Sequence, residues 1–260
     1  MVRREKANYV IQSVSHALDV LEQFCSEADE LGVTELSKRL KLHKNNVFRL
    51  LATLESRGYI EQNRATENYR LGVQCLHLGR SYTQHMGLLR QARSIMEQLV
   101  KQCHETALVA VLRRGGVVPV DTVEASQPVR IASLLGESLP LHCTAVGKAH
   151  LAFEPEDELK NSLPETLERY TTETITSRQA LNEHLKAIAA AGYSVDNGEF
   201  VADLRSVAAP VRDYTRQLVG SLAISGPAYR IPPERIEKEV VPLVVKASRE
   251  LSSRLGYNEK

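Results

Sequence analysis

The sequence predicts an α+β protein in two parts: an N-terminal winged helix-turn-helix, then a linker helix and a C-terminal domain built on an antiparallel sheet. Three observations predict it. Residues 13–58 carry three short amphipathic helical patterns. Two short alternating runs around a polar turn follow them. Beyond residue 105, β-branched apolar runs alternate with helical ones, the order of an α+β domain. The 260 residues suffice for two domains.

The first helical pattern places Val14, Ala17, Leu18, Leu21 and Phe24 on one face, with Ser13 and Ser15 as candidate N-caps and the polar stretch Ser26 to Glu30 as its end. Thr34 is placed to cap the second helix, which turns Leu36 and Leu40 inward, and Leu42 closes the turn. The third starts near Lys44, buries Val47, Leu50, Leu51 and Leu54, and meets a left-handed cap at Gly58. Tyr59 to Gln62 and Tyr69 to Leu71, around the polar turn Asn63 to Asn68, read as the hairpin wing.

Charge gives this half a chemistry. The net charge is only +1, yet Lys38, Arg39, Lys41, Lys44, Arg49 and Arg57 are opposed between positions 38 and 57 only by Glu55. Such a local excess neutralises phosphates. Lys44, Asn45, Asn46 and Arg49 lie on the side of the third helix left free by its apolar residues. Asparagine pairs bidentately with adenine and arginine with guanine, while Lys44 and the wing's Arg64 can hold phosphates. The expected partner is double-stranded operator DNA. A solvated helix in a protein-interaction module is the alternative.

In the second half, Leu89 to Cys103 has helical periodicity, and Thr106 to Leu112 and Val117 to Val123 are strands around Gly115-Gly116. Val129 to Ser133 is a candidate third strand. Ser177 caps a helix that buries Leu181, Leu185 and Ile188 and ends at Gly192. Leu204 to Val211 and Leu218 to Ser225 form a further antiparallel pair, and Pro232-Pro233 introduces a final helix running to about Leu255. Thr144-Ala145-Val146-Gly147 precedes a short helix, Lys148 to Phe153; small residues and N–H groups at a helix start favour a carboxylate.

Composition excludes other classes. With 43% hydrophobic and 25% charged residues the chain reads as globular. No apolar run approaches the ~20 residues needed to span a bilayer, and MVRREKANYV lacks an apolar signal core. Cys25, Cys75, Cys103 and Cys143 lie far apart with no CxxC pair, which fits a reducing cytoplasm. A cytoplasmic protein with no membrane partner is expected. His142, Cys143 and His150 match no compact zinc spacing, and Cys143 has no identifiable Cys-His-Asn order. No metal, no cofactor and no catalytic residue is expected. A Walker A loop, a GxSxG elbow, an HExxH pair and a dinucleotide fingerprint are all missing.

SVSHALDVLEQF, the stretch from VTELSKRL to LLATLESRGYI, and YRLG at Tyr69 to Gly72 form one set of marks. LPLHCTAVGKAHLA, TITS at Thr174 to Ser177, GYSVDNGEF, LRSVAAPV and LAISGP form a second, more specific one. In these, from about Ser13 to Tyr257, the chain resembles the IclR family of bacterial transcriptional regulators. The resemblance implies operator binding controlled by a small aliphatic or aromatic carboxylate held in a GAF-like effector domain. It also implies homodimers or dimers of dimers, and a helix linking the domains near Val73 to Gln91, where Leu76, Leu78, Tyr82 and Met86 are apolar. The division is then 1–75 DNA-binding, 76–91 linker and 92–260 effector-binding.

By the same resemblance, the effector pocket draws on Thr144, Ala145, Val146, Asp196, Ser206, Ala223 and Ser225, with apolar walls from Ile131 and Leu139. Ser206 and Ser225 can donate to an anion, and Asp196 can accept from a ligand hydroxyl. His16 stands where the family usually has arginine, Ser206 where cysteine is frequent, and Ala223 where a serine can contact small keto acids. Losing that serine removes a donor and enlarges the cavity, which favours a somewhat larger or aromatic acid. From the residues alone, Ser206 and Ser225 are also readable as ordinary strand serines, and Asp196 as a turn former in Val-Asp-Asn-Gly. The alternative function is an enzyme acting on a small organic acid through the C-terminal pocket.

Overall fold

A computed structural model describes residues 10–25, 29–113, 115–153, 163–164 and 166–258. The chain divides into two compact units, Met1–His85 and Met86–Lys260.

The first unit packs α1 (Gln12–Glu22), α2 (Val33–Leu40) and α3 (Lys44–Ser56) around Val20, Phe24, Leu31, Leu36, Val47, Leu51 and Leu54. The first helix corrects the sequence reading in two ways. Ile11 occupies the N-cap with no side-chain bond, so Ser13 and Ser15 lie inside the helix. Val14 and Leu18 are each 54% exposed, because the small core is reached by Val20 in the C-terminal half of α1 and by Phe24 just beyond it. Of the polar stretch expected after it, residues 26–28 lie outside the described residues.

Thr34 does not cap α2 either. Leu31 and Tyr69 exchange both backbone hydrogen bonds at 2.9 Å, which fixes the chain's entry and starts the helix directly after Gly32. Gly58, at φ +73°, closes α3 as expected: its N–H donates to Glu55 and that of Tyr59 to Leu54. β1 (Ile60–Gln62) and β2 (Tyr69–Leu71) pair antiparallel as the wing. Where the wing returns, Gly72 is required: a Cβ there would lie 2.4 Å from the Gly58 carbonyl oxygen. α4 (Val73–His85) ends this unit, and α5 (Gly87–Cys103) begins the next after extended backbone at Met86 (φ −85°, ψ 99°).

The second unit is built on β3 (Thr106–Arg113), β4 (Gly116–Val123), β5 (Ser194–Asn197), β6 (Leu204–Arg212) and β7 (Leu218–Pro227), all antiparallel in the order β4-β3-β7-β6-β5. Helices cover both faces. Strand side chains alternate with period two, so Ala107, Val109, Val111, Val207, Ala209, Val211, Leu222 and Ile224 pack one face against α5 and the C-terminal helix. Ala110, Ala208 and Ala223 face the other way, towards α6 (Ala145–Phe153) and α7 (Arg178–Ala191). One face is large and apolar, the other small. That asymmetry makes room for a cavity.

Three expectations here are corrected. Val129 to Ser133 is not a strand: the Val129 carbonyl accepts from the Arg230 guanidinium at 2.7 Å, and buried Glu105 holds that guanidinium bidentately. Asp196 lies on β5 rather than in a turn; the turn follows at Gly198, φ +79°. The final helix is broken into α8 (Pro233–Arg235), a π-helical turn (Ile236–Val240) and α9 (Val241–Arg254). Pro242 lacks an N–H and would clash with a carbonyl one turn back, which accounts for the widened turn before it. Ser177 does cap α7, accepting from the Ala180 N–H, and Gly192 ends it at φ +81°.

Leu51 is fully buried at the centre of the first unit. Leu51→Ala is expected to cost that unit ~2–5 kcal/mol in guanidinium unfolding, through lost burial and the cavity left behind.

Candidate functional site

On the first unit, α3 buries Val47, Leu51 and Leu54 and leaves Lys44, Asn45, Asn46 and Arg49 exposed. Phe48, which the sequence reading passed over, stands among them at 56% exposure; an apolar side chain at a helix's polar margin was the signal. Arg64 is exposed at the tip of the wing. The tip is anchored by contacts the sequence did not show: Asn63 Nδ2 and Thr66 Oγ1 each donate to the Glu30 carboxylate at 2.7 Å. Those two bonds hold the Glu30 carboxyl below its usual range. Lys38, Lys41 and Arg57 extend the exposed basic surface, while Arg39 is paired with Glu35 at 2.5 Å.

On the second unit, all nine candidate effector residues (Ile131, Leu139, Thr144, Ala145, Val146, Asp196, Ser206, Ala223 and Ser225) line one cavity of about 50 Å³. Strand register explains why. Asp196 on β5 lies opposite Ser206 on β6, Ser206 opposite Ser225 on β7, and Ser225 opposite Thr106 on β3. These four polar residues form a row across four strands on the small face. The next row, Ser194, Ala208, Ala223 and Leu108, is small or apolar. Thr106, Thr122 and Phe200 also line the cavity and were missed. Period-two counting from Ala110 would have placed Thr106 on this face.

α6 closes the cavity from above. It starts at Ala145, three residues earlier than expected, because Thr144 is its N-cap: the Thr144 hydroxyl accepts from the Gly147 N–H at 3.1 Å and donates to the Pro140 carbonyl at 2.7 Å. Ala145 and Val146, both on the cavity wall, therefore carry first-turn N–H groups, which no helical carbonyl satisfies. Ser194 and Ser221 tie that turn to the sheet by donating to the carbonyls of Ala145 (2.6 Å) and Val146 (3.4 Å).

Electrostatics behind the cavity centre on a buried pair. Lys148 on α6 is 0% exposed and its ammonium pairs with the Glu199 carboxylate. It also donates to the Val195 carbonyl at 2.6 Å and lies 3.4 Å from His184 Nε2. Burial pushes Glu199 up while Lys148 pulls it down. Burial, with the charge of Lys148, lowers His184. Asp196 accepts from the Glu199 N–H at 2.8 Å, yet burial, reinforced by the neighbouring Glu199 charge, pushes its carboxyl up to about 7. The Ser206 and Ser225 hydroxyls bond each other at 2.7 Å. Among the described residues, the Thr122 hydroxyl and the second Glu199 oxygen are buried without a partner.

No group of three or more His, Cys, Asp or Glu among the described residues could hold a metal ion. His142 Nε2 lies 2.9 Å from the Glu168 carbonyl oxygen, and burial pushes the Cys143 thiol up to about 12, keeping it protonated. Among the described residues no helix is long and apolar enough to cross a membrane.

Two expectations follow. Lys148→Met strands the buried Glu199 charge and should cost ~3–5 kcal/mol in chemical unfolding, most of it recovered by adding Glu199→Leu. Because folding raises Asp196 from 3.8 to about 7, its stabilising contribution is complete below pH ~4 and is lost as pH rises through about 7. Asp196→Asn should therefore lose less melting temperature than the parent chain between pH 5 and pH 8.

Residues 80–253 match the family described as bacterial transcriptional regulator IclR C-terminal, and residues 13–64 match the IclR helix-turn-helix domain. The chain is 34% identical over 250 residues to the HTH-type transcriptional regulator KdgR of Escherichia coli (strain K12), covering 95% of each chain. It is 30% identical to the transcriptional repressor IclR of the same organism, covering 95% of this chain and 90% of that one. The crystal structure of the Thermotoga maritima IclR superposes with a TM-score of 0.78 at 28% identity, covering 95% of this chain and 99% of that one. On these matches the chain belongs to the IclR family of bacterial transcriptional regulators, a helix-turn-helix regulator rather than an enzyme.

Proposed function

We propose that this regulator reads a pseudo-palindromic operator with α3 and releases or tightens it in response to a small organic acid held in the C-terminal cavity. The observation that carries the effector half is the polar row Asp196, Ser206, Ser225 and Thr106 facing the Thr144-capped start of α6 across one cavity. A helix start and two hydroxyls supply donors for a carboxylate, and Asp196 is the polar group available to a ligand hydroxyl. For the DNA half, Asn45, Asn46 and Arg49 supply base contacts, and Lys44 and Arg64 hold phosphates.

The working form is a homodimer, with dimers of dimers as the higher assembly. Val10, Ile11, Val14 and Leu18 on and before α1, and Val73, Leu76, Leu78 and Tyr82 on α4, are all exposed apolar residues of the first unit. That much uncovered apolar surface suits burial against a second copy. Two copies would present two α3 helices to successive major grooves. Effector binding then acts by favouring one placement of the two winged helices over another. The setting is the cytoplasm, where operator and metabolite meet.

The test is fluorescence anisotropy on promoter DNA from the gene's own neighbourhood. Arg49→Ala, which removes a base contact, should weaken binding by ~1–3 kcal/mol and relax specificity, while Lys44→Ala, which removes a phosphate contact, should weaken it evenly across sequences and flatten the salt dependence. Unchanged operator affinity in both would remove α3 as the reading helix. For the effector, an acid present at ~100 times its dissociation constant should add ~2.7 kcal/mol of stability in a thermal-shift assay.

A further inference from the structure

We infer that the effector is a monocarboxylic acid longer than the cavity that holds its head, and that its body passes between Leu139 and Phe200 into an adjoining aromatic cleft. This rests on the carboxylate reading above and adds the ligand's length and the chemistry of its far end.

The first ground is volume. The inner cavity of about 50 Å³ holds a few waters, each needing ~10–15 Å³ by the same measure, whereas small-molecule sites usually run ~300–1,000 Å³. A second cleft of about 380 Å³ lies beside it, lined by Ser138, Pro140, His142, Glu168 and Tyr170 among others. Leu139 and Phe200 line both, and so stand between them. Beneath α6 the sheet already presents small side chains, Ala110, Ala208 and Ala223, and offers little further room there. Leu139 and Phe200 are where the inner cavity meets space large enough for a ligand's body.

The second ground is which wall can give. Leu139 is pinned, since it exchanges both backbone hydrogen bonds with Val117 at 2.8 and 3.0 Å. Phe200 follows the β5 turn. Its backbone neighbour Glu199 is held by Thr171 and Thr174, whose hydroxyls donate to the Glu199 carbonyl at 3.2 and 2.6 Å. Its ring is half-buried and meets Tyr170 edge-on, 5.2 Å between centroids. A side-chain rotation of Phe200 joins the two spaces without moving backbone, which makes Phe200 the length-setting residue.

The third ground is chemistry. The inner end offers hydroxyls and helix N–H groups to an anion. The outer cleft offers rings: Tyr170 against Phe200, with His142 6.1 Å from Tyr170. At its rim the Glu168 carboxylate already accepts from the Tyr170 hydroxyl at 3.0 Å. A planar body stacks there, and a distal hydroxyl can donate to Glu168, whereas a second carboxylate would be repelled.

Isothermal titration of the full chain with acetate, 4-hydroxyphenylacetate and 4-carboxyphenylacetate tests this. 4-Hydroxyphenylacetate should bind about tenfold or more tighter than either of the others, the scale on which a filled apolar subsite discriminates. Ser138→Trp fills the outer cleft and should erase the advantage over acetate. Glu168→Gln should raise 4-carboxyphenylacetate affinity relative to 4-hydroxyphenylacetate. Acetate binding as tightly as the longer acids, an advantage that survives Ser138→Trp, or a preference for the dicarboxylate overturns the inference while leaving the carboxylate reading standing. Binding of none of the three, by a chain that still binds its operator, overturns both.

Discussion

The second unit depends on how closely α6 can approach the sheet. Gly147 sits where a Cβ would lie 2.4 Å from the Leu141 carbonyl oxygen and 2.6 Å from its Cα. Beneath the helix the strands offer Ala110, Ala208 and Ala223, all but fully buried. Gly147 lets the segment at Leu141 fold tightly back on the helix it leads into, and the three alanines let that helix sit close to the sheet. Ser194 and Ser221 can then reach carbonyls of the helix's first turn, and first-turn N–H groups can meet the polar row of β5, β6, β7 and β3. A larger residue at any of the three alanines would lift α6, and the cavity's donors would part from its hydroxyls.

That close seating also explains the buried ion pair. Lys148 emerges from α6 into a region closed to solvent, and a lone ammonium there would be prohibitively costly. Glu199, Val195 and His184 surround it with partners. Buried pairs contribute little net stability, since desolvation offsets their attraction. What this one does is position: it ties α6 to the β5–β6 turn, and so places Asp196, on β5 just before that turn, and Phe200, next to Glu199, against the cavity. Asp196 pays for this with a raised proton affinity.

How much was legible varies with how local the cause is. The three helices and wing of the first unit were readable because period 3.6 and period 2 patterns act over a few residues. The caps were misread at Ser13, Ser15 and Thr34, because the helix starts are set by Leu31 pairing with Tyr69 and by which half of α1 reaches the core. Val129 to Ser133 has strand-forming residues, but Arg230, a hundred positions away, takes its carbonyl. β5 was hidden because Asp and Asn are poor strand formers, and only pairing with β6 makes it one. The nine cavity residues were placed by family resemblance, since nothing local distinguishes Ser206 from any other strand serine. Thr106, Phe200 and the Lys148–Glu199 pair join that site through long-range register and packing.

By itself the sequence determined the elements of the first unit and most of those of the second, the two-part order, the basic face of α3, and the alternation that gives the sheet one large and one small face. These follow from side-chain periodicity and local backbone preference, which need no knowledge of distant residues. Tertiary structure alone decided which polar residues share a row, how small the inner cavity is, and that Leu139 and Phe200 divide it from a larger cleft. Those depend on strand order and register between segments up to 119 positions apart, from Thr106 to Ser225. The energy that selects that register is spread over the whole core rather than written at any one site.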